Sequence, residues 1–298
     1  MILIAEKCIK PNQFNNKMMK IKFNAIAVFV FLLVFASCKT KEKGDNTKIE
    51  ERKLIEMVTN YGTIHLELYN ETPLHRDNFL KLVKEKAYDS LLFHRVINQF
   101  MIQSGDPDSR KATSMEVQLG NGSLPYKVPA EINKTLFHQR GALGAARDGN
   151  PERASSAMQF YIVQRGIQND SLLKVANKRI NTWLGKHYAY KDIVNETLID
   201  AVDKARKRKD TIRYKQLNDS LNIVVKNYTD FTKYTIPEKH RKVYKTVGGT
   251  PHLDQNYTVF GQVTKGLDVV DAIATVQTND SDRPIDAVRI LSIQLVDK

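Results

Sequence analysis

Arg95 and Gln103 are the residues whose types and spacing could do chemistry in this chain. They lie in Leu92-Phe93-His94-Arg95-Val96-Ile97-Asn98-Gln99-Phe100-Met101-Ile102-Gln103-Ser104-Gly105-Asp106-Pro107. The stretch reads as two short strands joined at Asn98-Gln99 and closed by a Gly-Asp-Pro turn. Side chains on a strand repeat with period two, so Phe93, Arg95 and Ile97 share one face and Met101 and Gln103 share another. A guanidinium, an amide and a thioether then converge, with Phe100 nearby, in a mostly apolar site. The set holds no nucleophile–base pair, no paired carboxylates and no metal-ligand cluster. Its one asset is a permanently charged, rigid donor set among apolar groups. Taken alone, an arginine on a strand is more simply read as structural and paired with a carboxylate; its neighbours decide. His94 falls on the opposite face and reads as structural.

Other elements must hold that stretch in place. Leu54 to Thr59 and Thr63 to Tyr69 alternate around Asn60-Tyr61-Gly62, a hairpin signal. Thr72-Pro73 offers an N-cap and a first-turn proline, with Phe79, Leu82 and Val83 at helical spacing behind it. Residues 109–127 are polar and loop-like. Gly141 to Arg147 is a strand of small side chains, which lets another group approach the backbone closely. Met158 to Val163 sets Gln159 and Tyr161 against Phe160 and Ile162. Tyr257 to Val263 and Val288 to Val296 are strands, with a short helix near Leu267 to Ala274 between them.

Residues 167–248 change character. Val194, Leu198, Ala201 and Ala205 form one helical seam, and Tyr214, Leu217, Leu221, Val224 and Tyr228 form another out of phase with it. They are either two helices or one helix with a sharp break, packed as a hairpin. Charge separates this block from the rest. The chain carries +13 overall, of which +5 lies in residues 1–50 and +9 in 167–248, leaving −1 for the remainder. Lys207-Arg208-Lys209 reads as a solvated helix end, not a nucleic-acid or anionic-membrane patch, because no aromatic residues interleave to stack bases. Strands flank the helical block without mixing with it, so it is an insertion into a β-domain.

At the other end, Ala25 to Ala36 is an apolar run preceded by Lys17, Lys20 and Lys22. It is too short to cross a bilayer core of about 30 Å and suits the h-region of a secretory signal. Phe35-Ala36-Ser37-Cys38 follows, and small residues before a cysteine resemble a bacterial lipobox, with Phe35 where leucine is usual. The expected organisation is a lipoprotein-type signal peptide over 1–38 with Cys38 lipidated, and a flexible tether over 39–52. A domain over 53–298 follows, interrupted by 167–248. This places the protein in a bacterial cell envelope, lipid-anchored and periplasm-facing. Met18 or Met19 as the true start would leave Cys8 outside the protein. With only Cys8 and Cys38 there is no disulfide framework.

Together these residues carry a resemblance. Phe93 to Ile97, Phe100 to Gln103 with Gly105-Asp106, Gln159 to Ile162, and Leu253-Asp254 with Val259-Phe260-Gly261 closely resemble the cyclophilin family. The resemblance spans Leu54–Arg165 and Gly249–Lys298. It implies a mainly β fold: a closed eight-stranded antiparallel barrel with two capping helices, here with an inserted α-helical segment. It also implies peptidyl-prolyl cis–trans isomerase activity on proline-containing polypeptides, with no cofactor and no metal. Arg95 matches the family's catalytic arginine. Phe100, Met101 and Leu253 match its proline-pocket walls, and Gln103 and Gln159 its polar contacts. Ala146 and Arg147 match its substrate-backbone contacts, Arg147 as in bacterial members. Tyr161 stands where many members have phenylalanine, and Tyr257 where eukaryotic members often have histidine. His252 replaces the tryptophan associated with cyclosporin binding, so weak drug affinity is expected; His252 either fills space or tunes binding with pH. The protein is expected to act as a monomer on envelope clients without binding nucleic acid. The alternative is a peptide-holding chaperone module whose helical insert is the main client contact.

Overall fold

The computed structural model describes residues 51–112, 114–115 and 117–297. The signal-peptide and Cys38 assignments, and nearly all of the tether, lie outside the described residues. The alternating sequence of the first hairpin forms β1 (Lys53–Thr59) and β2 (Gly62–Leu68), which bury Ile55, Met57, Ile64, Leu66 and Leu68 on one face. Strands β3 (Arg95–Ile97), β4 (Met101–Ser104), β6 (Ala142–Ala145) and β8 (Phe160–Val163) follow, with β9 (Val259–Lys265) and β10 (Ile290–Val296) after the insertion. A small separate pair, β5 (Lys127–Val128) and β7 (Ser155–Ser156), sits beside them. The main sheet is antiparallel in the order β10-β1-β2-β9-β6-β8-β4-β3.

This sheet is curled and open, where a closed barrel was expected. Its end strands, β10 and β3, share no ladder. Strand β3 is only three residues long, and the N–H of Val96 donates to the carbonyl of Asp282 instead of to β10 (2.8 Å). The gap is spanned by the irregular segment before β3, through the isolated bridge between Leu92 and Arg289 and three backbone hydrogen bonds: Ser90 N–H to the Ile290 carbonyl (2.8 Å), Ile290 N–H to that of Leu91 (2.8 Å) and Phe93 N–H to that of Val288 (2.9 Å). Helices α1 (Pro73–Lys84) and α6 (Leu267–Ala274) fill the curl as the two expected caps. Phe79, Leu82 and Val83 of α1 and Val270 and Ile273 of α6 join the sheet's inner residues in one cluster. At its centre Phe79 packs against Tyr88, Phe160 and Phe260 with ring centroids 4.8–5.6 Å apart.

Thr72 precedes α1, yet its hydroxyl is buried without a partner and does not cap the helix. The Glu131 carboxylate does so from outside, accepting from the N–H groups of Leu74 (3.0 Å) and His75 (2.9 Å) and contacting His75 Nδ1 (2.7 Å). An anion at a helix N-terminus satisfies orphan donors and meets the positive end of the dipole.

The block between β8 and β9 contains α2 (Asp170–Lys191), α3 (Glu196–Lys207), α4 (Thr211–Asn227) and α5 (Glu238–Thr246). Helices α3 and α4 are two helices packed as a hairpin. Lys209 turns the chain at φ 57°, and the Asp210 carboxylate caps α4 through the N–H of Arg213 (2.9 Å). Lys207, Arg208 and Lys209 are exposed at this turn. The α3 seam is rotated from the expected one. Val202 and Ala205 are buried, whereas Val194 lies outside the helix and is 82 % exposed. Helix α2 was not anticipated; its Leu173, Ala176, Ile180 and Leu184 pack with Ile236 and Tyr244 in a cluster of their own. The insertion rejoins the sheet at Gly248-Gly249. Gly249 has φ +137°, and a Cβ there would fall 2.2 Å from the carbonyl oxygen of His138.

Burial raises the pKa of Glu131, but the hydrogen bonds from His75 and Leu74 overcome it, and the net shift is downward from 4.5. A depressed carboxylate stabilises the fold above its unfolded pKa, and the contribution is lost as pH falls through the folded value. Replacing Glu131 with Gln is therefore expected to lower stability at pH 7 by about 1–2 kcal/mol. It should also flatten the loss of stability below pH ~4.5, checked by thermal melts from pH 3 to 7. Parallel wild-type and variant melting curves over that range would contradict this role.

Candidate active site

The β3–β4 hairpin has the register its alternation implied: Arg95 opposite Gln103, Val96 opposite Ile102, and Ile97 opposite Met101. The turn is made by Gln99 at φ 58°, whose N–H donates to the Gln164 side chain (2.9 Å). The same row continues across the sheet, because Gln103 pairs with Tyr161 and Tyr161 with Gly144. Arg95, Gln103 and Tyr161 therefore stand in one line on the outer face, above the bare backbone of Gly144. A Cβ at Gly144 would lie 2.3 Å from Cζ of Tyr161, so only glycine lets this ring lie flat on the strand.

Phe93 does not join this face. Regular pairing begins only at Arg95, and Phe93 turns into the main core beside Phe160 (6.5 Å between centroids). His94 is buried on the other side, its ring nitrogens unpartnered. Burial, reinforced by Arg95 and Arg283 and opposed by Asp106, holds its pKa down at about 4.

The row opens onto a cavity of about 160 Å³ lined by Arg95, Phe100, Met101, Gln103, Ala146, Arg147, Tyr161, Leu253 and Tyr257. Of the anticipated binding residues, Gln159 and His252 stand outside this lining. Gln159 accepts from the Gln103 amide (2.9 Å) and donates to the carbonyls of Gly120 (2.9 Å) and Gly122 (2.7 Å), so it orients Gln103. His252 stacks behind Phe100 with centroids 5.6 Å apart. Burial lowers its pKa to about 3, helped by the charge of Arg179, so it stays neutral through the physiological range and is no pH switch.

Arg95 is 44 % exposed and meets a carboxylate through one nitrogen only, Nε to Asp282 at 3.3 Å. An exposed pair of that length is worth little, and the terminal nitrogens remain available. Arg147 directs Nε to the carbonyl of Asn256 (2.8 Å) and Nη1 to that of Asp148 (2.8 Å), with its guanidinium 4.9 Å from the Tyr257 ring centre. Among the described residues, the backbone N–H and carbonyl of Arg147 have no hydrogen-bond partner. That leaves them for an extended chain.

Behind the cavity runs a buried polar line. Tyr161 O–H donates to Nε2 of His138 (2.8 Å), and Nδ1 of His138 donates to Asp254 (2.8 Å). Tyr244 of α5 donates to the other carboxylate oxygen (2.8 Å). Burial raises both tyrosine pKa values, so both remain phenols; the Asp254 carboxylate can only accept, which places a proton on Nδ1 of His138. His138 and Asp282 had no local signature in the sequence.

The family model "Cyclophilin type peptidyl-prolyl cis-trans isomerase/CLD" matches residues 54–218 and 241–295. A Staphylococcus saprophyticus protein named for peptidyl-prolyl cis–trans isomerase activity is 31 % identical, over 85 % of this chain and 96 % of its own. The chain belongs to the cyclophilin family of peptidyl-prolyl cis–trans isomerases. A Streptococcus pyogenes protein named for both phosphatase and isomerase activities is 30 % identical over 80 % of this cyclophilin, which covers 38 % of that longer chain. A crystal structure of a Cryptosporidium parvum cyclophilin-type isomerase aligns with 83 % of this chain and 99 % of its own, at 19 % identity and a TM-score of 0.47. In this cyclophilin the hydroxyl that Tyr161 adds to the pocket wall has a use: it is the far end of the His138–Asp254 line.

Asp254 and His138 are each only 1 % exposed. Replacing Asp254 with Ala strands His138 and the Tyr244 hydroxyl in an apolar surrounding. The expected loss is about 3 kcal/mol in chemical denaturation, together with weaker peptide binding as Tyr161 is freed. A variant as stable as wild type would show that the line carries no structural weight.

Proposed function

We propose that Arg95 speeds rotation about X–Pro bonds while the cavity holds the proline ring. An X–Pro bond turns slowly because resonance gives its C–N link double-bond character, with a barrier of roughly 20 kcal/mol. At the twisted transition state conjugation is lost, and the proline nitrogen becomes pyramidal with a free lone pair. A donor aimed there, or holding the preceding carbonyl, stabilises the transition state more than either ground state. The observation that carries this reading is Arg95 at the cavity mouth, in register with Gln103 and bound to Asp282 by a single nitrogen. Phe100, Met101, Tyr161 and Leu253 grip the ring, Tyr257 closes the rim, and Ala146 and Arg147 present backbone to the client. Gln159 acts through Gln103, and His252 by backing Phe100. No bond is broken, which fits a site without a nucleophile.

The alternative remains a peptide-holding chaperone module whose helical insert is the main client contact. Tyr244 of the insert bonds Asp254 and its Trp183 packs on the pocket's own cluster, so the insert adjoins the pocket under either reading. Arg95→Ala is expected to lower kcat/KM on an X–Pro peptide by about 10²-fold, as for loss of one transition-state donor. Nuclear magnetic resonance exchange measures this directly, and equal rates for variant and wild type would sink the assignment. For location, we retain a lipid anchor at Cys38 in the envelope, where the clients are unfolded envelope polypeptides. Palmitate labelling in cells should be lost in Cys38→Ala; labelling that persists would remove the anchor.

A further inference from the structure

Next to the proline pocket is a second cavity of about 220 Å³ at the junction between helix α2 and the rim, with Arg147, Asp148, Asn150, Trp183, Lys186 and Tyr257 in its wall. Arg147 and Tyr257 line both cavities, so the two adjoin. The second cavity exists only because the insertion does: Trp183, Lys186, His187 and Tyr190 all come from α2. Cations and aromatic rings pair in its wall: Arg147 lies 4.9 Å from the Tyr257 ring centre and Lys186 5.7 Å from that of Tyr190, while Arg179, outside the lining, lies 4.7 Å from that of Trp183. Trp183 and Tyr257 are themselves 6.1 Å apart.

None of these three cations has an ion-pair partner among the described residues. The carboxylate in the wall, Asp148, is already taken by Lys127 at 2.6 Å. The site is thus positive, aromatic-walled and continuous with a peptide groove. Resting on the isomerase reading above, we propose that it is a client subsite for an acidic side chain, Asp or Glu, placed a few residues from the proline. Lys186 is its specificity-determining residue. A carboxylate there gains the unpaired charges of Lys186 and Arg147, while its stem lies against Trp183. A nucleic acid could use the same stacking, but the shared walls tie this cavity to a polypeptide already seated in the proline pocket.

The test uses the full chain with its insertion intact, and peptides carrying Glu or Gln scanned over four positions on each side of one X–Pro bond. Wild type is expected to prefer Glu over Gln at one position by about fivefold in kcat/KM, the scale of a partly exposed ion pair. Lys186→Glu should erase or invert that ratio, and Lys209→Glu, at the distant α3–α4 turn, should keep it. Trp183 is the sole tryptophan, so its emission should shift on titration with the preferred Glu peptide and shift less with the Gln peptide. That readout holds whether or not turnover is observed. Turnover without a Glu preference at any position would overturn the subsite alone. So would a preference lost equally in both variants, or a poly-dT oligonucleotide that moves Trp183 emission at lower concentration than the Glu peptide. No turnover on any peptide would instead overturn the isomerase reading, with the titration still deciding the subsite.

Discussion

The site depends on one constraint, the placement of the Tyr161 ring. Two features fix it from opposite ends. Gly144 removes the side chain that would occupy its place, and His138 holds its hydroxyl in a bond anchored by Asp254. Both must act together, because a phenol buried without an acceptor loses more than the ring gains by stacking on backbone. Once Tyr161 is set, the cavity floor is set, and Gln103 in the adjacent register position fixes where Arg95 stands. Asp254 also follows Leu253, a pocket wall, and binds Tyr244 of the insertion. One buried carboxylate thereby joins the sheet, the rim and the inserted helices.

The exposure of Arg95 is compatible with the role proposed for it in a reaction that only twists a bond. Two unit charges 4 Å apart interact by about 1 kcal/mol in water and about 4 kcal/mol near a protein surface. An arginine held deep in the core would require a permanent counter-ion and would be neutralised by it. Arg95 is half open and shares only Nε with Asp282, so under the proposed role its charge would act more strongly once a bound peptide covered it, the apolar walls supplying that cover.

The site was more legible than the architecture around it, for reasons that lie in particular residues. Period-two alternation and a tight turn were enough to register Arg95 against Gln103, because both signals are local. The same rule failed one step outside the strand, at Phe93, where no ladder enforces the pleat. The seam of α2 was written in Leu173, Ala176, Ile180 and Leu184, but diluted by the asparagines and lysines between them. His138 with Asp254 and Arg95 with Asp282 are separated by 116 and 187 residues, and pairs so distant leave no spacing to read. The closed barrel came from family likeness, not from residues. The chain departs from it where β3 is too short to reach β10.

The insertion's charge now has a structural context. Its +9 stands against −1 for the sheet domain, and at the exposed α3–α4 turn that charge is merely solvated. On α2 it is arranged differently. Arg179 and Lys186 lie over rings, where a cation keeps part of its attraction without a carboxylate partner. Cations held over rings leave their charge uncancelled by a carboxylate. A surface loop added only for solubility would not need Trp183 inside the pocket's apolar cluster, nor Tyr244 tied to Asp254. The insertion is packed against the rim of the candidate site, Trp183 on Tyr257 and Tyr244 on Asp254, which places the basic residues of α2 beside that rim.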